Sequence, residues 1–159
     1  MTEYDDAQQQ GPPGPDPALK QLERFVGTWD LRGRTLDSEK DNVFGRTSFE
    51  WLPGGFFLQQ RIELDFMGME IKGLEVIGYD PSTGKYPSTV YSNLVGTPIP
   101  YEYDIQNDHV KIRTELAGGA TFTGTWSTEG DTGSGGWRPD PGKEGPGNVA
   151  YDVTATRVR

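Results

Sequence analysis

The 159-residue chain has no cysteine, so disulfides, thiolate metal sites and cysteine nucleophiles are all excluded. It has a single histidine, His109. A histidine-rich metal centre is therefore impossible, and any serine triad would need His109 to reach a serine such as Ser92. Basic residues are few: 15 Lys and Arg against 24 Asp and Glu give a net charge of −9. That balance excludes the clustered positive charge of a nucleic-acid binder and disfavours anionic membrane surfaces. Nowhere do 18 or more apolar residues run together, so the sequence offers no membrane-spanning helix. Met1 to Pro17 lacks the basic region and apolar core of a signal peptide. These absences lead us to expect a cytoplasmic protein with a soluble, bacterial-type surface, no metal and no cofactor.

What the chain does have is punctuation: 22 glycines and 12 prolines spread between short alternating segments. At this length one domain is expected. Its hydrophobic content of 33% is modest, yet it suffices where each strand needs only one apolar face. Residues 1–16, with Gln8-Gln9-Gln10 and Pro12, Pro13 and Pro15, read as a flexible leader, and 17–159 as the folded domain. From Pro17 to Phe25 the residues Leu19, Leu22 and Phe25 or Val26 fall at helical spacing. Asp16 is placed to cap that helix and Pro17 to open it, which predicts a short helix across one end of the fold.

Ten strand-like segments follow: Gly27–Leu36, Val43–Leu52, Phe56–Phe66, Met69–Tyr79, Tyr86–Asn93, Pro100–Gln106, His109–Glu115, Ala120–Ser127, Thr132–Trp137 and Val149–Arg157. Turn chemistry separates them at Pro53-Gly54-Gly55, Pro81-Ser82-Thr83-Gly84, Asn107-Asp108 and Ala117-Gly118-Gly119. None of these connections is long enough for repeated crossovers, so the pattern predicts an all-β, up-and-down antiparallel barrel of about ten strands. Alternation supports it. Phe56, Leu58, Ile62, Leu64 and Phe66 share one parity, interrupted by Gln60, and Tyr101, Tyr103 and Ile105 oppose Glu102, Asp104 and Gln106. The segment Arg138 to Asn148, with Pro139, Pro141 and Pro146, is a candidate flap.

Gly27-Thr28-Trp29 behind a short helix, followed by a meander and a terminal Arg157, resembles the calycin superfamily, which includes lipocalins and fatty-acid-binding proteins. The resemblance implies that Trp29 packs at the closed end with Arg157 laid across it, and Gly27, Trp29 and Arg157 are assigned to barrel closure on that ground. A cation–π contact supplies the physical reason. More of the chain is similar to the mainly bacterial family called domain of unknown function 1579. That similarity is carried by Val26 to Trp29, Glu50-Trp51-Leu52-Pro53-Gly54-Gly55-Phe56-Phe57, Ile77-Gly78-Tyr79-Asp80-Pro81 with Gly84, and Thr156-Arg157-Val158. Membership would imply a lipocalin-like barrel and no established reaction. Nitrobindin-type haem barrels also begin with Gly-X-Trp. Here, however, Leu31 stands where their motif continues with glycine, and no histidine lies near the C-terminus.

Aromatic residues on many strands, Trp51, Tyr79, Tyr91, Tyr101, Tyr103, Phe122, Trp126, Trp137 and Tyr151, would line an apolar cavity and orient a ligand with hydroxyl and indole groups. The alternative is a core packed through its centre. Trp51, Gln60, Tyr79, Tyr101, Tyr103, Trp126 and Tyr151 are taken as ligand-binding candidates for a small hydrophobic or aromatic metabolite. A second expectation is a cofactor-free cyclase or isomerase in the same cavity. Its catalytic candidates are Glu75, which shares parity with Ile71 and Ile77, together with Tyr101 and His109. Haem binding stands third. Gly133-Ser134-Gly135-Gly136 precedes no helix that could present amides to a phosphate, so it reads as a turn or bulge in a strand.

Overall fold

The computed structural model describes residues 12–159; most of the expected leader lies outside the described residues. Pro17–Phe25 forms a helix of the 3₁₀ type. Its apolar residues explain the choice, because Leu19, Leu22 and Phe25 recur every third residue and so share one face of a helix with three residues per turn. Leu19 and Leu22 are buried. The Asp16 side chain accepts a hydrogen bond from the Ala18 amide at 2.9 Å, and Pro17 opens the first turn.

Ten strands follow: β1 (Gly27–Thr35), β2 (Val43–Trp51), β3 (Leu58–Phe66), β4 (Met69–Ile77), β5 (Tyr86–Ser92), β6 (Val95–Gln106), β7 (His109–Thr114), β8 (Ala120–Trp126), β9 (Thr132–Pro139) and β10 (Tyr151–Arg157). Each pairs antiparallel with its neighbours in sequence, and β1 pairs with β10, so the sheet closes into an up-and-down barrel. Closure leaves no edge strand to be protected. Most strand boundaries fall within one or two residues of expectation, and two of the shifts have a clear physical reason. β3 begins at Leu58, and Phe56 and Phe57 lie exposed in the preceding turn, where glycines at positive φ reverse the chain. β6 begins at Val95, because it continues through Pro98 and Pro100 to complete a short turn with β5.

The helix plugs one end of the barrel. Leu19 and Leu22 pack with Leu58, Ile77 and Tyr86, and the Tyr86 hydroxyl donates to the Ala18 carbonyl at 2.7 Å. Trp29 and Arg157 are direct cross-strand partners, and the guanidinium carbon lies 4.2 Å from the indole centroid. Arg157 also donates to the carbonyls of Val26 at 2.6 Å and Arg24 at 3.2 Å, tying the last strand to the helix end. A Cβ on Gly27, whose φ is 125°, would sit 2.6 Å from Arg157 Nη1. Only glycine leaves the guanidinium room. Arg24 seals the same end by donating to the Asn107 carbonyl and to Asp108 Oδ1 while lying 4.2 Å over Trp126.

The opposite end is covered in part by residues 140–150. Arg113 donates to both Asp140 carboxylate oxygens at 2.5 and 2.7 Å. The buried Asn148 amide donates to the carbonyls of Ala117, Gly119 and Lys143 at 3.1–3.2 Å. The candidate flap is therefore stapled across the barrel rim at both of its ends. Among the described residues no helix is long and apolar enough to cross a membrane.

Candidate functional site

Inward-facing side chains of the ten strands leave a cavity of about 620 Å³ between the plugged end and the stapled rim. A barrel of this strand number is too wide for its side chains to fill. Ile62, Leu64, Ile71, Ile99 and Val153 make most of the wall apolar. At the open end Met67, Met69 and Leu94 line the cavity and are also about half exposed to solvent, so the cavity reaches solvent there.

Its floor is polar. Glu75 on β4 is 1% exposed, and Gln60 on β3 and Ser88 on β5 flank it. Ser88 Oγ donates to Glu75 Oε2 at 2.7 Å, the Gln60 amide donates to Oε1, and the Tyr103 hydroxyl lies 2.8 and 3.0 Å from the two oxygens. Thr47 supports the group from β2 by donating to Gln60 Oε1 at 2.7 Å. Burial pushes the Glu75 carboxyl above its ordinary value, opposed by the bonds from Ser88, Tyr103 and Gln60. Burial and the nearby Glu75 likewise hold Tyr103 well above the ordinary phenol value. No buried side-chain polar atom lacks a partner among the described residues. A carboxyl group, a phenol and two further donors thus form one satisfied network at the base of an apolar chamber.

Tyr101 and Tyr151 stand higher on the wall. Burial raises the Tyr101 hydroxyl to about 12, and Tyr151 is raised by burial and by Tyr101. Both therefore stay protonated and can present a hydroxyl to a ligand. Phe122 and Trp137 join them, with ring centroids 5.6 Å apart, and Tyr101 meets Trp137 edge-on at 5.7 Å. These last two aromatics carry the same period-two signal as the tyrosines.

The sequence candidates separate by height along the barrel. Gln60, Glu75, Tyr101, Tyr103 and Tyr151 all border the large cavity. Trp51, Tyr79 and Trp126 do not. The Trp51 indole donates to Glu23 Oε2 of the helix at 2.6 Å, Tyr79 packs on Tyr86 at 5.1 Å, and Trp126 lies under Arg24 at the plugged end. His109 is exposed at the β6–β7 turn, also at the plugged end, so it can serve the cavity neither as a base nor as a haem ligand. Tyr91 points outward and is half exposed. Among the described residues no group of three or more His, Cys, Asp or Glu is arranged to hold a metal ion.

Comparison with proteins of known structure and sequence agrees with the architecture. The crystal structure of Rv2717c from M. tuberculosis is 16% identical and superposes with a TM-score of 0.60, covering 91% of this chain and 99% of that one. At that identity the likeness speaks for the fold alone. No curated protein matches the chain. The family described as "Protein of unknown function (DUF1579)" matches residues 14–123, from just before the helix cap into β8. With most of its length matched, the chain belongs to the DUF1579 family.

Proposed function

We propose that this protein binds one small, largely apolar molecule in the barrel cavity. The observation that carries the reading is a chamber of about 620 Å³ with an apolar wall, a satisfied polar floor and an opening at one end. Such a chamber is of a size to hold a single drug-sized molecule. The hydroxyls of Tyr101 and Tyr151 would orient it, and the methionine and leucine rim would admit it. This use, together with the Trp29–Arg157 closure, supports a lipocalin-like, calycin-type barrel, and the chain's lack of cysteine suits a cytoplasmic location. Native mass spectrometry of protein purified from its own source is expected to reveal a stoichiometric small-molecule adduct. Absence of an adduct, together with no saturable uptake of an apolar fluorophore, would overturn the reading.

A second reading rests on Glu75. A buried carboxyl hydrogen-bonded to a buried phenol is suited to moving a proton on a substrate held in a fixed shape, as a cofactor-free isomerase or cyclase requires. The two readings divide on Glu75→Gln. A binding protein keeps its ligand and loses nothing else, whereas an isomerase keeps its ligand and loses turnover.

A further inference from the structure

Below the large cavity lies a second, smaller one of about 170 Å³, bordered by Phe25, Trp29, Phe49 and Trp126 at the plugged end. Leu31, Gln60, Tyr103, Ile112, Phe122 and Val153 border both cavities and form the partition between them. The lower space exists because of missing side chains. On β8 and β9 the inward positions Gly124, Gly133 and Gly135 are all glycine, so this wall is backbone. Gly124 and Gly135 accommodate the Phe122 ring, since a Cβ on either would fall 2.6–2.7 Å from it. Gly133 has no such neighbour: a Cβ there would meet nothing closer than 3.5 Å. Its missing side chain is therefore not required by packing, and the glycine-rich run of β9 acquires a role that a turn or bulge does not explain.

Several of the polar groups bordering this chamber are already engaged. The Trp29 indole donates to the Phe25 carbonyl at 2.8 Å, Thr47 donates to Gln60, and Tyr103 and Gln60 donate to Glu75. An apolar protein cavity of about 150 Å³ stays dry and takes up benzene or xenon. The geometry points to a second binding site, separate from the large cavity, that takes one small apolar molecule of the size of a single aromatic ring, seated among Trp29, Trp126, Phe25 and Gly133.

The chain's four tryptophans make the site testable, because they divide among three stations: Trp29 and Trp126 border the lower chamber, Trp137 the large cavity, and Trp51 neither. Benzene is titrated into the full-length, ¹⁵N-labelled protein while the indole N–H resonances are followed, and the titration is repeated on Gly133→Leu, whose added side chain would fill the chamber. The expected result is a saturable shift of the Trp29 and Trp126 signals with Trp51 unmoved. In Gly133→Leu that shift is lost, and any response at Trp137 is kept. A saturable shift confined to Trp137, no saturable shift at all, equal drift of all four signals, or a Trp29 and Trp126 response that survives in Gly133→Leu would each overturn the proposal. Should the variant fail to fold, xenon-pressurised crystals of the unaltered protein decide it. A xenon atom between Trp29 and Trp126 supports the site, and an empty chamber refutes it. Because the readout is separate for the two chambers, the outcome does not depend on what occupies the upper one.

Discussion

Glu75 ties the candidate site to stability through its protonation. Its folded-state value lies above the ordinary 4.5 because burial disfavours the charge. A carboxyl shifted in that direction stabilises the folded chain below the unfolded value, and the contribution is lost as pH rises through the folded one. Relative to the parent protein, Glu75→Gln should therefore gain stability as pH rises from about 4.5 upward, measured as urea midpoints across a pH series. Parallel curves for the two proteins would show that the carboxyl carries no such linkage. Trp29 makes the complementary case. It is 3% exposed and packed under Arg157, so Trp29→Ala is expected to cost about 3–5 kcal/mol of unfolding free energy. Binding of a fluorophore in the large cavity should survive, because Trp29 does not border it.

At the level of the element, the β3–β4 hairpin contains a local conflict. Its two-residue turn is Met67-Gly68, with φ of 56° and 89°. Two positive φ angles suit Asn-Gly, and a long side chain at the first position costs about 1 kcal/mol. Met67 also lines the mouth of the cavity, which gives the sequence a reason to keep it. Met67→Asn should raise stability by about 1 kcal/mol and weaken uptake of an apolar fluorophore; unchanged uptake would remove Met67 from the portal. Across the rim, Asn148→Ala would release three carbonyls. Amide exchange should accelerate across residues 140–150 while β1 to β5 stay protected, and uniform acceleration would mean that the staple holds more than the rim.

The elements also show which features a linear sequence can convey. Alternation with period two put Gln60, Glu75, Tyr101, Tyr103 and Tyr151 on the inner face, and the inner face is where they lie. The same alternation says nothing about height along the barrel, which depends on strand tilt and stagger. Trp51, Tyr79 and Trp126 share the alternation and yet sit below the large cavity. The 3₁₀ form of the helix was present in the strict three-residue spacing of Leu19, Leu22 and Phe25. The Asn148 staple was not legible, because its acceptors are backbone carbonyls up to 31 residues away.

For the whole molecule, one closed sheet around a single hydrophobic cluster implies one cooperative unit. Tryptophan fluorescence and far-ultraviolet circular dichroism should report coincident urea transitions; separated midpoints would reveal that the helix plug or the rim melts by itself. Closure has a kinetic side as well. Every strand pairing but one joins neighbours in sequence, and the exception, β1 with β10, brings Trp29 to Arg157 across nearly the full chain. Local hairpins can form early at small entropic cost, whereas this last pairing must confine a loop of more than a hundred residues. The cation–π pair and the Arg157 carbonyl bonds therefore act as a latch on this last pairing. Weakening them should slow folding only if the latch engages before the rate-limiting barrier, and otherwise should hasten unfolding.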